Sequence, residues 1–158
     1  MLFARALLAF LALPGVVAFL LPWWIVATDP RRGEGWGLLG GAVAVVGAVV
    51  LLWCVRDFYV AGKGTLAPWD PPRHLVVVGL YRFTRNPMYI GVLTLVVGWS
   101  LLFGSWRLAV YAVVLAVGFH LRTILYEEPR LAAQFGADWE RYRSAVPRWL
   151  PRRPQPAR

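Results

Sequence analysis

Four stretches of the chain are nearly free of charge, and its polar residues crowd into the segments between them. Residues 6–27 and 36–55 carry no charged side chain, and neither do 87–104. Residues 106–126 hold Arg107, His120 and Arg122 near their ends. A bilayer's hydrocarbon core, about 30 Å thick, takes about 20 apolar residues of helix. The pattern therefore predicts four transmembrane helices at about 6–27, 36–55, 87–104 and 106–126. The first is too long for a signal-peptide core and has no small-residue cleavage site, so it reads as a retained helix. Pro14 and Pro22 are expected to kink it, and Trp23 and Trp24 to anchor it at the interface. Asn86 and Pro87 read as the cap and first residue of the third helix. Gly104-Ser105 reads as a tight turn joining the third helix to the fourth.

The connections carry their own patterns. Residues 62–72 are too rich in Gly and Pro for regular structure, and 75–78 form a short apolar run, strand-like or re-entrant. After the fourth helix, Leu131, Phe135, Trp139, Tyr142 and Val146 recur at helical spacing, giving one apolar face. Pro129 starts a new segment or kinks the fourth helix. Gly136 is expected to interrupt the face, Asp138 to cap a second short helix, and Pro147 to end it. A basic end comes last, expected to lack structure. The fold class is thus an all-α integral membrane protein: a single membrane domain over 1–158, with four transmembrane helices plus a C-terminal cytoplasmic amphipathic helical segment.

Composition narrows the function. Apolar residues make up 59% of the 158 and charged ones 16%, against about 45–50% and 25% in soluble domains. That excludes a disordered chain. A lone Cys54 excludes a disulfide scaffold, and Cys54, His74 and His120 are too few for a zinc site. The net charge of +9 is mostly topology. With four spans, fourteen of the seventeen basic residues share one side, and only Arg31, Arg32 and Arg107 face the other. The positive-inside rule then puts the long connection and the C-terminus in the cytoplasm, against anionic lipid headgroups. No nucleic-acid motif accompanies the charge. Sixteen Arg against one Lys suggests a GC-rich coding sequence, hence a bacterial inner membrane.

Candidate chemistry gathers at one membrane face. Glycine loops for nucleotides and a serine elbow are missing. Arg85 and Asn86 open the third helix, while His120, Glu127 and Glu128 close the fourth. The hairpin brings these ends together. His120 and Glu127, two turns apart, are expected to share a face with Thr123. An arginine at a helix N-terminus suits an anionic group, and paired carboxylates suit an ammonium or ribose hydroxyls. Tyr81, Tyr89 or Trp139 offer aromatic faces to a sulfonium. S-adenosylmethionine carries all of these groups. Each residue also has a plainer reading: Arg82 and Arg85 as interface anchors, the two glutamates as a solvated helix end, His120 as a packing residue.

Gly79-x-Tyr81-Arg82-x-x-Arg85-Asn86-Pro87-x-Tyr89-x-Gly91 resembles the signature of the isoprenylcysteine carboxyl methyltransferase and phospholipid methyltransferase superfamily. Glu127-Glu128-x-x-Leu131, Phe135-Gly136, Trp139, Tyr142 and Val146-Pro147-Arg148 match its second half. The likeness covers residues 62–151. It implies an integral-membrane methyltransferase using S-adenosylmethionine and a lipophilic acceptor that enters from the bilayer. It carries a cofactor role to Arg85, Asn86, Pro87, Tyr89, Glu127 and Glu128, with Tyr81 and His120 added from the residue reading. The family usually has His where this chain has Asn86, which cannot titrate. Any base for an amine, phenol or thiol acceptor falls to Glu128 or His120. A non-catalytic membrane scaffold and a membrane NADPH-dependent reductase are the alternatives.

Overall fold

The computed structural model describes residues 11–30, 32–61 and 74–152. A π-helical run, Leu11–Leu20, continues as α1, Leu21–Ala27. Then come α2, Gly37–Val60, a 3-10 turn at Gly79–Arg82, α3, Pro87–Phe103, and α4, Trp106–Arg122. A π turn, Thr123–Glu127, leads without a break into α5, Glu128–Phe135, and α6 is Ala137–Ala145. No strand occurs among the described residues. The apolar run 75–78 forms no regular element and is extended at Val78, and it buries Val76 against Cys54 and Tyr81. The Gly/Pro-rich 62–72 and the basic end from 153 lie outside the described residues.

Two helices are long and apolar enough to cross a membrane, Gly37–Val60 and the continuous Trp106–Phe135. Only 22% and 17% of their apolar windows are buried, which argues against core helices of a soluble protein. Leu38, Val45 and Val49 of α2 and Val113 and Val114 of α4 instead point outward. The apolar helices Pro14–Ala27 and Pro87–Phe103 are shorter. Length and composition thus support two of the four expected crossings.

The center of the bundle is α3. Its Val92, Leu95 and Val96 pack with Ala18 of the π-helical run, Leu51 of α2 and Ala112 of α4. Its contact with α2 is backbone on backbone. A Cβ on Gly47 would collide with the Leu95 backbone nitrogen, and one on Gly98 with that of Ala44. Small residues permit such approach, and dispersion then holds the pair where lipid offers no hydrophobic drive. The α3–α4 hairpin turns on Gly104, left-handed at φ 57°, a conformation glycine adopts freely. Beside it, buried Asp29 accepts from Ser105 Oγ at 2.6 Å and pairs with Arg107 Nε at 3.6 Å. That end is braced, and the opposite end, where α3 begins, is open to build a site.

Pro129 stands inside the long helix rather than at a break. Its ring leaves no room for the carbonyl four residues back, and it lacks an N–H. The wide turn just before it is the local answer: the Glu128 N–H bonds to the Thr123 carbonyl, five residues back. Gly136, at φ 50°, separates α5 from α6 and is itself the cap position of α6. Asp138 therefore lies inside the first turn, paired with Arg141, rather than capping as expected.

Candidate active site

The start of α3 and the π turn face each other across a cavity of about 420 Å³. Its walls are of two kinds. Pro14, Val17, Val92 and Phe119 form an apolar part. Arg85, Glu127, Glu128, Tyr81, Trp139 and Tyr142 form a polar and aromatic part. The volume lies within the range of ordinary small-molecule sites.

The segment before α3 is held by the tail. Arg85 N–H donates to the Pro147 carbonyl at 2.9 Å, and Arg152 N–H to that of Phe83 at 3.0 Å. Thr84 Oγ1 donates between the carbonyls of Arg148 and Trp149, at 3.1 and 3.0 Å. Tyr142 donates its phenol to the Tyr81 carbonyl at 2.8 Å. Burial pushes that phenol's pKa up, so it stays a donor. Asn86 occupies the cap position of α3, but its side chain makes no capping bond. Its amide instead donates to the Arg148 carbonyl at 3.0 Å, which corrects the sequence expectation. Pro87 is buried at the head of α3 and lies outside the lining.

Glu128 is the hub. It accepts from Arg85 Nη1 at 2.9 Å, and from Arg148 through Nε at 2.6 Å and Nη2 at 2.9 Å. Burial would raise its pKa, but the Arg148 hydrogen bonds and the Arg85 charge outweigh that and hold it below the usual carboxylate range. Arg85 is mostly buried, and its guanidinium carbon lies 5.5 Å from the centroid of the Trp139 ring. Burial lowers its pKa, opposed by Glu128. Its Nε has no hydrogen-bond partner among the described residues.

Glu127 makes a second, separate cluster. Tyr89 donates to its Oε1 at 2.5 Å and Arg122 Nε donates to the same oxygen at 2.8 Å. Arg122 Nε also reaches the Tyr89 hydroxyl at 3.1 Å. Residues five apart do not meet on an α-helix, where neighbours are three or four apart. The π turn makes the Arg122–Glu127 pair possible. Tyr89 is fixed from its other side by stacking on Phe119, with centroids 4.2 Å apart.

His120 stands apart from both clusters. It is exposed, it does not line the cavity, and its Nδ1 accepts from Trp149 Nε1 at 3.1 Å. The extra residue in the π turn rotates the rest of the helix by about 100°. The α-helical register that put His120 and Glu127 on one face therefore does not hold, whereas Thr123 and Glu127 both line the cavity. Of the expected cofactor residues, Tyr81, Arg85, Asn86, Tyr89, Glu127 and Glu128 meet at the cavity. Sequence reasoning gave no site role to Arg148, which it quoted only within a motif, or to Arg122, which it counted only as topological charge. The Val146-Pro147-Arg148 motif was the available signal for the first.

The architecture and the paired motifs across the hairpin define a membrane-type helical protein of one recognisable family. The chain matches the phospholipid methyltransferase family over residues 36–138, more than half its length, and belongs to that family. It is also similar to the protein-S-isoprenylcysteine O-methyltransferase of Schizosaccharomyces pombe, 32% identical over 79 residues. That match covers 49% of this chain and 34% of the relative, so the chain spans about a third of the length of the curated relative it matches. No solved structure matches.

Proposed function

We propose that the protein transfers a methyl group from S-adenosylmethionine to a lipophilic acceptor at the cytoplasmic face of a bacterial inner membrane. The observation that carries this is the mixed cavity, apolar at Val92 and Phe119 and ionic at Arg85 and Glu128. Family membership supports the reaction class. The charge asymmetry supports four spans and the cytoplasmic side.

The residues fit the donor. Arg85 Nε is a buried donor with no partner on a residue that lines the cavity, suited to a carboxylate. The Trp139 ring lies beside the Arg85 guanidinium, and Tyr81 is a second aromatic of the lining. S-adenosylmethionine, when bound, supplies an electrophilic methyl on a cationic sulfur. Arg85 holds the anionic end, and Glu128 with Arg148 fixes the Arg85 guanidinium. Asn86 ties the start of α3 to the tail. Tyr89, Glu127 and Arg122 form a closed cluster that sets the Tyr89 ring. Pro87, outside the lining, fixes the start of α3. Glu128, already carrying three N–H bonds, acts as a positioning residue rather than a base. The reaction's demands on the chain are then orientation and exclusion of water.

Calorimetry on detergent-solubilised protein with S-adenosylmethionine and its demethylated product tests the reading. Binding in the micromolar range is expected, and a folded protein that binds neither removes the proposal. Labelled-methyl transfer to N-acetyl-S-farnesylcysteine, whose amine is blocked, or to phosphatidylethanolamine then separates a carboxylate acceptor from an amine.

A further inference from the structure

Three buried side-chain polar atoms among the described residues lack a hydrogen-bond partner: Asp57 Oδ2, Arg85 Nε and Thr123 Oγ1. Arg85 and Thr123 both line the cavity, and Asp57 does not. The methyl-donor reading gives Arg85 Nε a role. It gives Thr123 none.

Thr123 is 2% exposed and its hydroxyl oxygen is closed to water even from the cavity side, so an occupant reaches it only as the wall gives slightly. A helical threonine ordinarily sends that hydroxyl to a carbonyl three or four residues back. Here the bond is not made, and the residue opens the π turn instead. A buried hydroxyl left unpaired is destabilising. Retaining one inside a cavity wall is understandable if an occupant completes it.

The level of Thr123 in the cavity identifies which occupant. One turn before it, Phe119 stacks on Tyr89 and begins the apolar part. Arg122 beside it and Glu127 one wide turn on, themselves ion-paired, belong to the ionic part. An amphiphile whose chain lies along Val92 and Phe119 brings its polar head to this seam. We infer that the Thr123 hydroxyl donates a hydrogen bond to an oxygen of the acceptor's head group, as a positioning and specificity residue. The inference rests on the methyl-transfer reading. Thr123 gives up no proton, and the lone pair of the reacting acceptor atom stays free.

The test compares Thr123→Val, which keeps shape and removes the hydroxyl, with Thr123→Ser, which keeps the hydroxyl. Three readouts are taken on the full chain in detergent: Tm without ligand, affinity for S-adenosylhomocysteine, and response to S-farnesylcysteine by Tm shift and by KM. Thr123→Val is expected to leave the ligand-free Tm unchanged or higher and to hold S-adenosylhomocysteine affinity within twofold. It should raise the KM for S-farnesylcysteine about tenfold with kcat less affected, and shrink the Tm shift. Thr123→Ser should restore both. A lower ligand-free Tm for Thr123→Val makes the hydroxyl structural and overturns the inference, as does an unchanged KM. Wild-type protein that binds S-adenosylhomocysteine but ignores S-farnesylcysteine also counts against an oxygen-bearing head at this seam, and leaves the cofactor reading standing. Failure of wild type to bind S-adenosylhomocysteine instead removes the proposed function itself.

Discussion

Arg148 meets Glu128 through two parallel contacts, Nε to Oε1 at 2.6 Å and Nη2 to Oε2 at 2.9 Å. The tail thereby clamps the carboxylate that also holds Arg85. A planar guanidinium makes this fork, and an ammonium does not. The clamp connects the segment after α6 to the residue assigned to the methyl donor. It works with the backbone bond from Arg85 N–H to the Pro147 carbonyl.

Arg148→Ala should therefore weaken S-adenosylmethionine binding although Arg148 does not line the cavity. Losing a charge-assisted pair is worth about 1.5–3 kcal/mol, or roughly 10- to 100-fold in affinity. Arg148→Lys should recover little of it. Calorimetry on both variants checks the prediction, and wild-type affinity in Arg148→Ala would show the clamp to be idle.

Acid should act through the same carboxylate. Glu128 has a folded-state pKa below its ordinary value, held there by Arg148 and Arg85 against burial. A depressed carboxylate contributes stability above its unfolded pKa, and loses it as pH falls through the folded one. Melting temperature should then hold steady through neutral pH and decline only below the usual carboxylate range. Glu128→Gln should lower the neutral plateau and flatten that decline. Thermal melts across pH in one detergent read both effects.

The parts of this site that lay in the sequence are those set by α-helical spacing and hairpin topology. Antiparallel helices joined at Gly104-Ser105 had to bring Arg85 near the end of α4, and Arg85 is 2.9 Å from Glu128. What spacing could not supply was the π turn. It pairs Arg122 with Glu127 at a separation α-helical rules exclude, and it takes Glu127 off the face of His120. Its cue was Pro129 within an otherwise continuous apolar helix, which reads equally well as a break. Asn86 misled for a different reason. Its capping propensity is real, but a tail carbonyl more than sixty residues away competed for the amide and won.

Gly79 offers a backbone test of how Tyr81 reaches the cavity. It is left-handed at φ 54°, and a Cβ there would strike the Asp57 carboxylate. Left-handed geometry alone costs a non-glycine residue about 1–2 kcal/mol. Gly79→Ala should lower Tm and weaken S-adenosylmethionine binding by displacing the turn that carries Tyr81. Adding Asp57→Ala relieves the collision but not the strain, so the double variant should recover part of the loss. A double variant no better than Gly79→Ala would place the whole effect in the backbone.

His120 supplies the sharpest contrast with the sequence expectation that it acts as a base. Its ring is exposed, lies outside the cavity lining, and uses Nδ1 to accept from Trp149. An exposed hydrogen bond of this kind contributes about 1 kcal/mol or less. A base, by contrast, must come within hydrogen-bond reach of the proton it takes. His120→Gln should therefore keep methyl transfer within about twofold and leave the pH–rate profile unmoved. A large loss of rate in His120→Gln, with Tm unchanged, would return His120 to the chemistry and require the turn to rearrange when substrates bind.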